Sequence, residues 1–169
     1  MLKKLIFAAV FTLATTAAWA GEYVVEASNA SGSDNIYYRV GLVREDGAID
    51  WGIETKTGDT GKSLGMTTDA GNAIMIFRND DSEIFYKVGS VDTATLTVAW
   101  GPKQQFAKGK SPVIDLAGTR VTVVYQGTKN NVLKVMTGWL EATRKQINWG
   151  GAFEYDEAGR SPTIAVGTN

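Results

Sequence analysis

The pentapeptides AIDWG (residues 48–52), TVAWG (97–101) and QINWG (146–150) divide the chain into units of equal length. Successive Trp-Gly pairs are 49 residues apart. Self-similarity at a fixed period of this size is typical of repeat architectures, in which each repeat is one supersecondary unit. The tryptophans therefore mark a structural repeat that is present three times.

Strand-like runs occupy corresponding positions around each Trp-Gly pair. Before it lie IYYRVGLV (36–43), IFYKVGSV (84–91) and LKVMTGWL (133–140). After it comes a Gly-Lys/Arg-Ser turn, at 61–63, 109–111 and 159–161, which leads into another run, and two units add AIMIFRN (73–79) and VTVVYQG (121–127). Short runs rich in Val, Ile, Tyr, Phe and Thr, bounded by Gly, Asn, Asp and Pro, predict strands. We expect an all-β fold of three four-stranded repeats.

The third unit ends before its fourth strand. The segment EYVVEAS (22–28) has the missing pattern and precedes Ile36 by about the interval that separates the fourth strand from the next unit elsewhere. The repeat is therefore predicted to be circularly permuted, with the N-terminal and C-terminal strands meeting in one sheet.

The first twenty residues have the features of a secretory signal peptide. Lys3 and Lys4 precede a short apolar run, and Ala18-Trp19-Ala20 supplies small residues at a cleavage site. The apolar run is too short to span a membrane. We expect residues 1–20 to be removed and residues 21–169 to form a single all-β repeat domain that is secreted or periplasmic.

The composition argues against several classes of function. Removal of Lys3 and Lys4 leaves 15 of the 17 basic residues, against 18 acidic residues. The basic residues form no dense stripe along the sequence, which argues against nucleic acid as a partner. The chain has no Cys and no His, which removes disulfides, catalytic triads and the commonest zinc ligand. The run GDTGKS (58–63) lacks the glycine that a phosphate-binding loop needs, because Lys56 stands there. We expect no catalytic residues, no metal and no cofactor.

The repeat resembles those of secreted propeller-type lectins and related tandem-repeat proteins. The residues that carry it are YYRVG (37–41) with Trp51-Gly52, and FYKVG (85–89) with Trp100-Gly101 and the following Ser111-Pro112 and 121–125. The third unit departs from the pattern at 134–137, and Leu64 replaces the proline of the first turn. The resemblance implies β-propeller-like blades, closed as a six-bladed ring by a homodimer. A monomeric β-trefoil or β-prism is the alternative, since both also contain three such units.

Three groups of side chains are candidate ligand-binding residues: Trp51, Trp100 and Trp149; Tyr38 and Tyr86 with Arg39 and Lys87; and Lys62, Lys110 and Arg160 on the turns. Indole faces stack on sugar rings, and turn cations bind hydroxyls or carboxylates. The alternative for the tryptophans is packing between units, and for the aromatic-cation pairs it is one residue in the core and its neighbour in solvent. The alternative for the turn residues is that they only stabilise the turn and bind no ligand.

These features predict a carbohydrate-binding, lectin-like protein with repeated shallow sites and a glycan or glycoconjugate as its partner. The alternative is a non-catalytic protein-binding, inhibitor or scaffold protein of the cell envelope. A glycosidase is a third possibility, because a pair of carboxylates that is not repeated between units is compatible with the sequence.

Overall fold

The computed structural model describes residues 22–166. The predicted signal peptide, residues 1–20, lies outside the described residues, as do residues 21 and 167–169. Within 22–166, no helix is long and apolar enough to cross a membrane.

The described chain is built from strands, as predicted. Their bounds are β1 (Tyr23–Asn29), β2 (Asn35–Val43), β3 (Ile49–Trp51), β4 (Thr55–Thr60), β5 (Lys62–Asp69), β6 (Asn72–Arg78), β7 (Glu83–Asp92), β8 (Thr97–Trp100), β9 (Gln104–Lys108), β10 (Lys110–Ala117), β11 (Arg120–Gln126), β12 (Val132–Glu141) and β13 (Gln146–Ala158). One turn of 3₁₀ helix, Ala142–Arg144, lies in the hairpin between β12 and β13.

The strands form three antiparallel sheets. The first sheet pairs β1 with β2, and β3 and β4 follow one another along the other edge of β2. The second has the order β5-β6-β7, with β8 and β9 along β7, and the third has the order β10-β11-β12-β13. The second and third sheets therefore have four strand positions and the first has three. The second and third sheets begin with the strand that follows a Gly-Lys-Ser turn, whereas the first sheet begins with β1, the equivalent of β6 and β11.

A glycine faces each repeated tryptophan across a strand pair. Gly41 pairs with Trp51, and Gly89 pairs with Trp100. A Cβ atom on either glycine would lie 2.8 Å from the Cε3 atom of the indole. The glycines recur in the sequence because the tryptophan rings lie flat over them.

The sheets pack face to face in chain order. Both faces of the second sheet are buried, and every residue of β6 from Ala73 to Phe77 is inaccessible to solvent. Ile74 and Ile76 pack towards the third sheet, and Met75 and Phe77 pack towards the first. Alternating side chains of a strand point to opposite faces, so an unbroken apolar run indicates a strand covered on both sides.

The Gly-Lys-Ser turns at 61–63 and 109–111 connect consecutive sheets. The N–H of Gly61 donates to the carbonyl of Asp34 at 2.8 Å, and that of Gly109 donates to the carbonyl of Ser82 at 2.7 Å. The chain then crosses from the last strand of one sheet to the first strand of the next. The repeated turn thus connects one sheet to the next. The structure gives no support for GDTGKS as a nucleotide-binding loop.

The expected pairing of the two chain ends is not formed within residues 22–166. β1 pairs only with β2, and the segment 159–166 contains no strand. The N–H of Val166 instead donates to Oδ2 of Asp115 in β10, at 2.5 Å. The physical reason is the order of packing, which leaves β1 and the C-terminal segment on the two outer sheets.

Candidate functional site

Two of the three repeated tryptophans lie between sheets. Trp100 of the second sheet meets Tyr38 of the first edge to face, with ring centroids 5.6 Å apart. Trp149 of the third sheet meets Tyr86 of the second in the same way at 5.7 Å, and it stacks on Phe106 at 4.7 Å. The indole N–H groups of both tryptophans are buried, and neither meets a hydrogen-bond acceptor among residues 22–166. Both rings are partly buried between repeats, as the packing interpretation predicts.

Trp51 has different surroundings because no sheet precedes the first one in the part of the chain that the structure describes. The guanidinium of Arg39 lies 4.1 Å from the centre of its ring. Arg39 also donates to Oε2 of Glu26 through Nε at 2.8 Å and through Nη2 at 2.6 Å. Trp51, Arg39 and Glu26 lie on the outer face of the first sheet, which no other described sheet covers.

The hydroxyls of Tyr38 and Tyr86 join neighbouring sheets at equivalent positions. The Tyr86 hydroxyl accepts from the N–H of Ile147 at 3.1 Å and donates to Oε1 of Gln104 at 2.9 Å. The Tyr38 hydroxyl lies 3.4 Å from the N–H of Val98. Burial raises the pKa of Tyr86 above its ordinary value. Both tyrosines therefore serve the packing of the repeats.

Lys87 forms a buried ion pair between the first and second sheets. Its Nζ lies 2.7 Å from Oδ2 of Asp59, and the two side chains are only 11% and 12% exposed. Nζ of Lys103 approaches the other oxygen of the same carboxylate at 3.8 Å. The matching positions of the next interface hold Met136 and Ala107, which pack in the apolar core.

Lys62 lies in a small polar crevice beside its turn. Nζ is 2.7 Å from Oδ1 of Asp80 and 3.4 Å from Oδ2 of Asp34. The hydrogen bond with Asp80 raises the pKa of Lys62, and the same bond lowers the pKa of Asp80. The crevice has a volume of about 60 Å³, and its lining includes Arg78 and Asn79.

Arg160 lies in a second polar crevice at the corresponding turn of the third unit. Its volume is about 300 Å³, and Ser111, Gln126, Asn131 and Ser161 complete its lining. The N–H of Gly159 donates to the carbonyl of Asn131 at 3.1 Å, as that of Gly61 donates to Asp34. Lys110, on the middle turn, is exposed to solvent and lines neither crevice.

Sequence reasoning missed the polar residues that stand opposite these turns. Asp34, Ser82 and Asn131 are each two residues before an equivalent position of the repeat, occupied by Ile36, Ile84 and Leu133. Their equivalent position in all three units was the feature of the sequence that could have identified them. What the sequence did not show is that their carbonyls accept the N–H of a glycine 27 or 28 residues further along the chain.

A cavity lies at the free edge of the first sheet. Its volume is about 840 Å³, and Tyr23, Val24, Thr68 and Asp69 are among the residues that line it. No group of His, Cys, Asp or Glu suited to a metal ion occurs within residues 22–166.

No family model, curated protein or solved structure matches the chain. Its function is therefore inferred from the residues and geometry described above.

Proposed function

We propose that this chain is a secreted or periplasmic lectin-like protein that binds carbohydrate at the Gly-Lys/Arg-Ser turns. The observation that carries the proposal is that polar crevices lie at two equivalent turns, around Lys62 and around Arg160. Loops held by a rigid repeat scaffold commonly carry binding residues.

The chemistry of both crevices suits the hydroxyl groups of a sugar. Lys62 and Arg160 are donors, Asp34 is an acceptor, and the amides of Asn79 and Asn131 supply both kinds of group. Shallow crevices bury little ligand surface, so each site is expected to be weak. Several weak sites on one rigid body bind a multivalent glycoconjugate with much greater avidity.

The proposed assembly is a six-bladed propeller made by two chains. Each sheet of a prism or a barrel has one face towards a common interior, whereas both faces of the second sheet are buried here. Face-to-face packing of successive sheets favours blades. Propellers have typically four to eight blades, and six is the multiple of three within that range. A two-fold homodimer supplies six.

The same crevices do not support catalysis. Asp34 and Asp80 accompany Lys62, whereas Asn131 and Gln126 accompany Arg160. A hydrolytic pair of carboxylates would therefore be confined to one turn, where Lys62 already binds both of them. We propose a binding protein without enzymatic activity, metal or cofactor.

A glycan array followed by calorimetry tests the proposal. The variants Lys62→Ala and Arg160→Ala are each expected to weaken binding of a captured glycan, and the double variant to abolish it. Lys56→Ala, at an exposed lysine outside both crevices, is the matched control. A folded protein that binds no glycan on a broad array contradicts the proposal. Retention of one envelope protein regardless of free sugar would favour the protein-binding alternative.

A further inference from the structure

We propose that residues 160–166 of one chain form the missing first strand of the first sheet of a second chain, and that the exchange is reciprocal. This inference rests on the two-chain ring of the proposed function and specifies how that ring closes.

The C-terminal segment follows the third sheet through the same turn that connects the first sheet to β5 and the second sheet to β10. Gly61, Gly109 and Gly159 donate equivalent hydrogen bonds to Asp34, Ser82 and Asn131. The serines that follow have the same left-handed backbone, with φ of 52° at Ser63, 47° at Ser111 and 50° at Ser161. An uncommon conformation at three equivalent positions shows that the third turn is built to start another strand.

The segment also contacts β10 in the way that β10 contacts β5. Oγ1 of Thr67 in β5 accepts from the N–H of Leu116, 49 residues further along, at 3.2 Å. Oδ2 of Asp115 in β10 accepts from the N–H of Val166, 51 residues further along. Residues 160–166 therefore lie beside the third sheet where the first strand of a fourth sheet belongs.

The acceptor of this strand is the free edge of β1. In the other sheets the equivalent strands, β6 and β11, are paired on both sides, whereas within residues 22–166 β1 is paired only with β2. The cavity of about 840 Å³ lies at this edge, next to Tyr23 and Val24. An unpaired edge within a stack of sheets is a ready site for strand addition.

The exchange also covers two outer sheet faces. The uncovered face of the third sheet carries Phe153, 62% exposed, and Tyr155, 48% exposed. The corresponding face of the second sheet is the one buried against the third. A second copy presents the face of the first sheet that carries Trp51 and Arg39, so each chain supplies the surface that the other lacks. The chain's own first sheet lies at the far end of the stack and is out of reach.

The register follows from the two complete sheets. Thr67 pairs with Ile74 and Asp115 pairs with Thr122, which are equivalent positions of the repeat. The same offset pairs Ala165 with the partner's Val25. It also pairs Arg160 with the partner's Asn29, as Lys62 pairs with Arg78. The crevice of Arg160 is then completed by the second chain, and its binding of ligand depends on the dimer.

Disulfide trapping tests the exchange, because the chain has no cysteine of its own. The variant Val25→Cys/Ala165→Cys is expected to give a covalent dimer after mild oxidation, on a non-reducing gel. Val25→Cys/Thr143→Cys, with the second cysteine on the exposed 3₁₀ turn, is the matched control and is expected to stay uncrosslinked. Light scattering of the parent chain measures its mass before oxidation.

The outcomes of this experiment distinguish the proposed strand exchange from the proposed two-chain ring. A dimer that crosslinks at 25 and 165 supports both. A dimer that does not crosslink there, or that crosslinks equally in the control, overturns the exchange and leaves the two-chain ring in place. A monomer, with or without a disulfide inside the chain, overturns both. Loss of glycan binding by a crosslinked dimer concerns only the carbohydrate proposal.

Discussion

The hydroxyl of Tyr86 accepts a hydrogen bond from the N–H of Ile147, 61 residues further along the chain, at 3.1 Å. This bond ties the second sheet to the third at a buried position. Tyr38 and Val98 repeat the arrangement between the first and second sheets, with a longer distance of 3.4 Å. Both bonds connect the middle of one sheet to the outer strand of the next.

Replacing Tyr86 with Phe is expected to lower the free energy of unfolding by about 1–3 kcal/mol, because the N–H of Ile147 loses its buried acceptor. Tyr38→Phe removes a longer bond and is expected to cost less. Urea denaturation of the two variants measures the difference. Equal, negligible losses would show that the hydroxyls do not hold the sheets together.

Gly89→Ala is expected to destabilise the fold by about 1–3 kcal/mol through overpacking. The added Cβ would lie 2.4 Å from Cγ1 of Val98 and 2.8 Å from Cε3 of Trp100. Gly151→Ala is the matched control, since no atom lies within 4 Å of the position that its added Cβ would take. Denaturation midpoints report the effect, and similar losses in both variants would argue against the close approach of Trp100.

Removal of one charge of the Lys87–Asp59 ion pair is expected to destabilise the fold more than replacement of both charges by apolar residues. Lys87→Met alone leaves a nearly buried carboxylate, a change that typically costs about 3–5 kcal/mol when a buried pair is broken. Lys103 at 3.8 Å from Asp59 should reduce that loss.

The double variant Lys87→Met/Asp59→Ala copies the apolar pair of the next interface, Met136 and Ala107, and is expected to recover most of the stability. A double-mutant cycle by chemical denaturation measures the coupling. Additive losses would mean that the two charges do not interact in solution.

Alkaline pH is expected to weaken the fold at the interface of Tyr86. Burial raises the pKa of Tyr86 above 10.0, so the folded chain keeps a phenol proton that the unfolded chain has lost. The stabilisation from this group is complete below about pH 10 and declines as the pH rises through the folded-state pKa. Burial raises the pKa of Tyr125 in the same direction.

Urea titrations between about pH 8 and about pH 11 test this. Tyr86→Phe is expected to show a shallower decline than the parent, because one of the groups that bind a proton preferentially in the folded state is gone. Deprotonation of lysines affects parent and variant alike. Parallel curves would contradict the assignment of the alkaline loss to Tyr86.

Several elements of the fold could be predicted from local patterns. The runs around Tyr38 and Tyr86, and the glycines opposite Trp51 and Trp100, carry the period and the strand alternation in themselves. The pair of Lys87 and Asp59, 28 residues apart, could not be predicted in this way. Neither residue is unusual in its own segment, and their contact exists only because one sheet packs on the next.

The all-β repeat, its strands and the turns at Gly61, Gly109 and Gly159 could be predicted from the sequence, because propensity, alternation and turn chemistry act over a few neighbouring residues. The packing of whole sheets decided that Trp100 and Trp149 lie inside the stack while Trp51 lies on its outer face. It also decided that β1 and residues 160–166 lie on opposite outer sheets. These outcomes depend on which faces are covered, and the order of packing of whole sheets, rather than any local pattern, sets that.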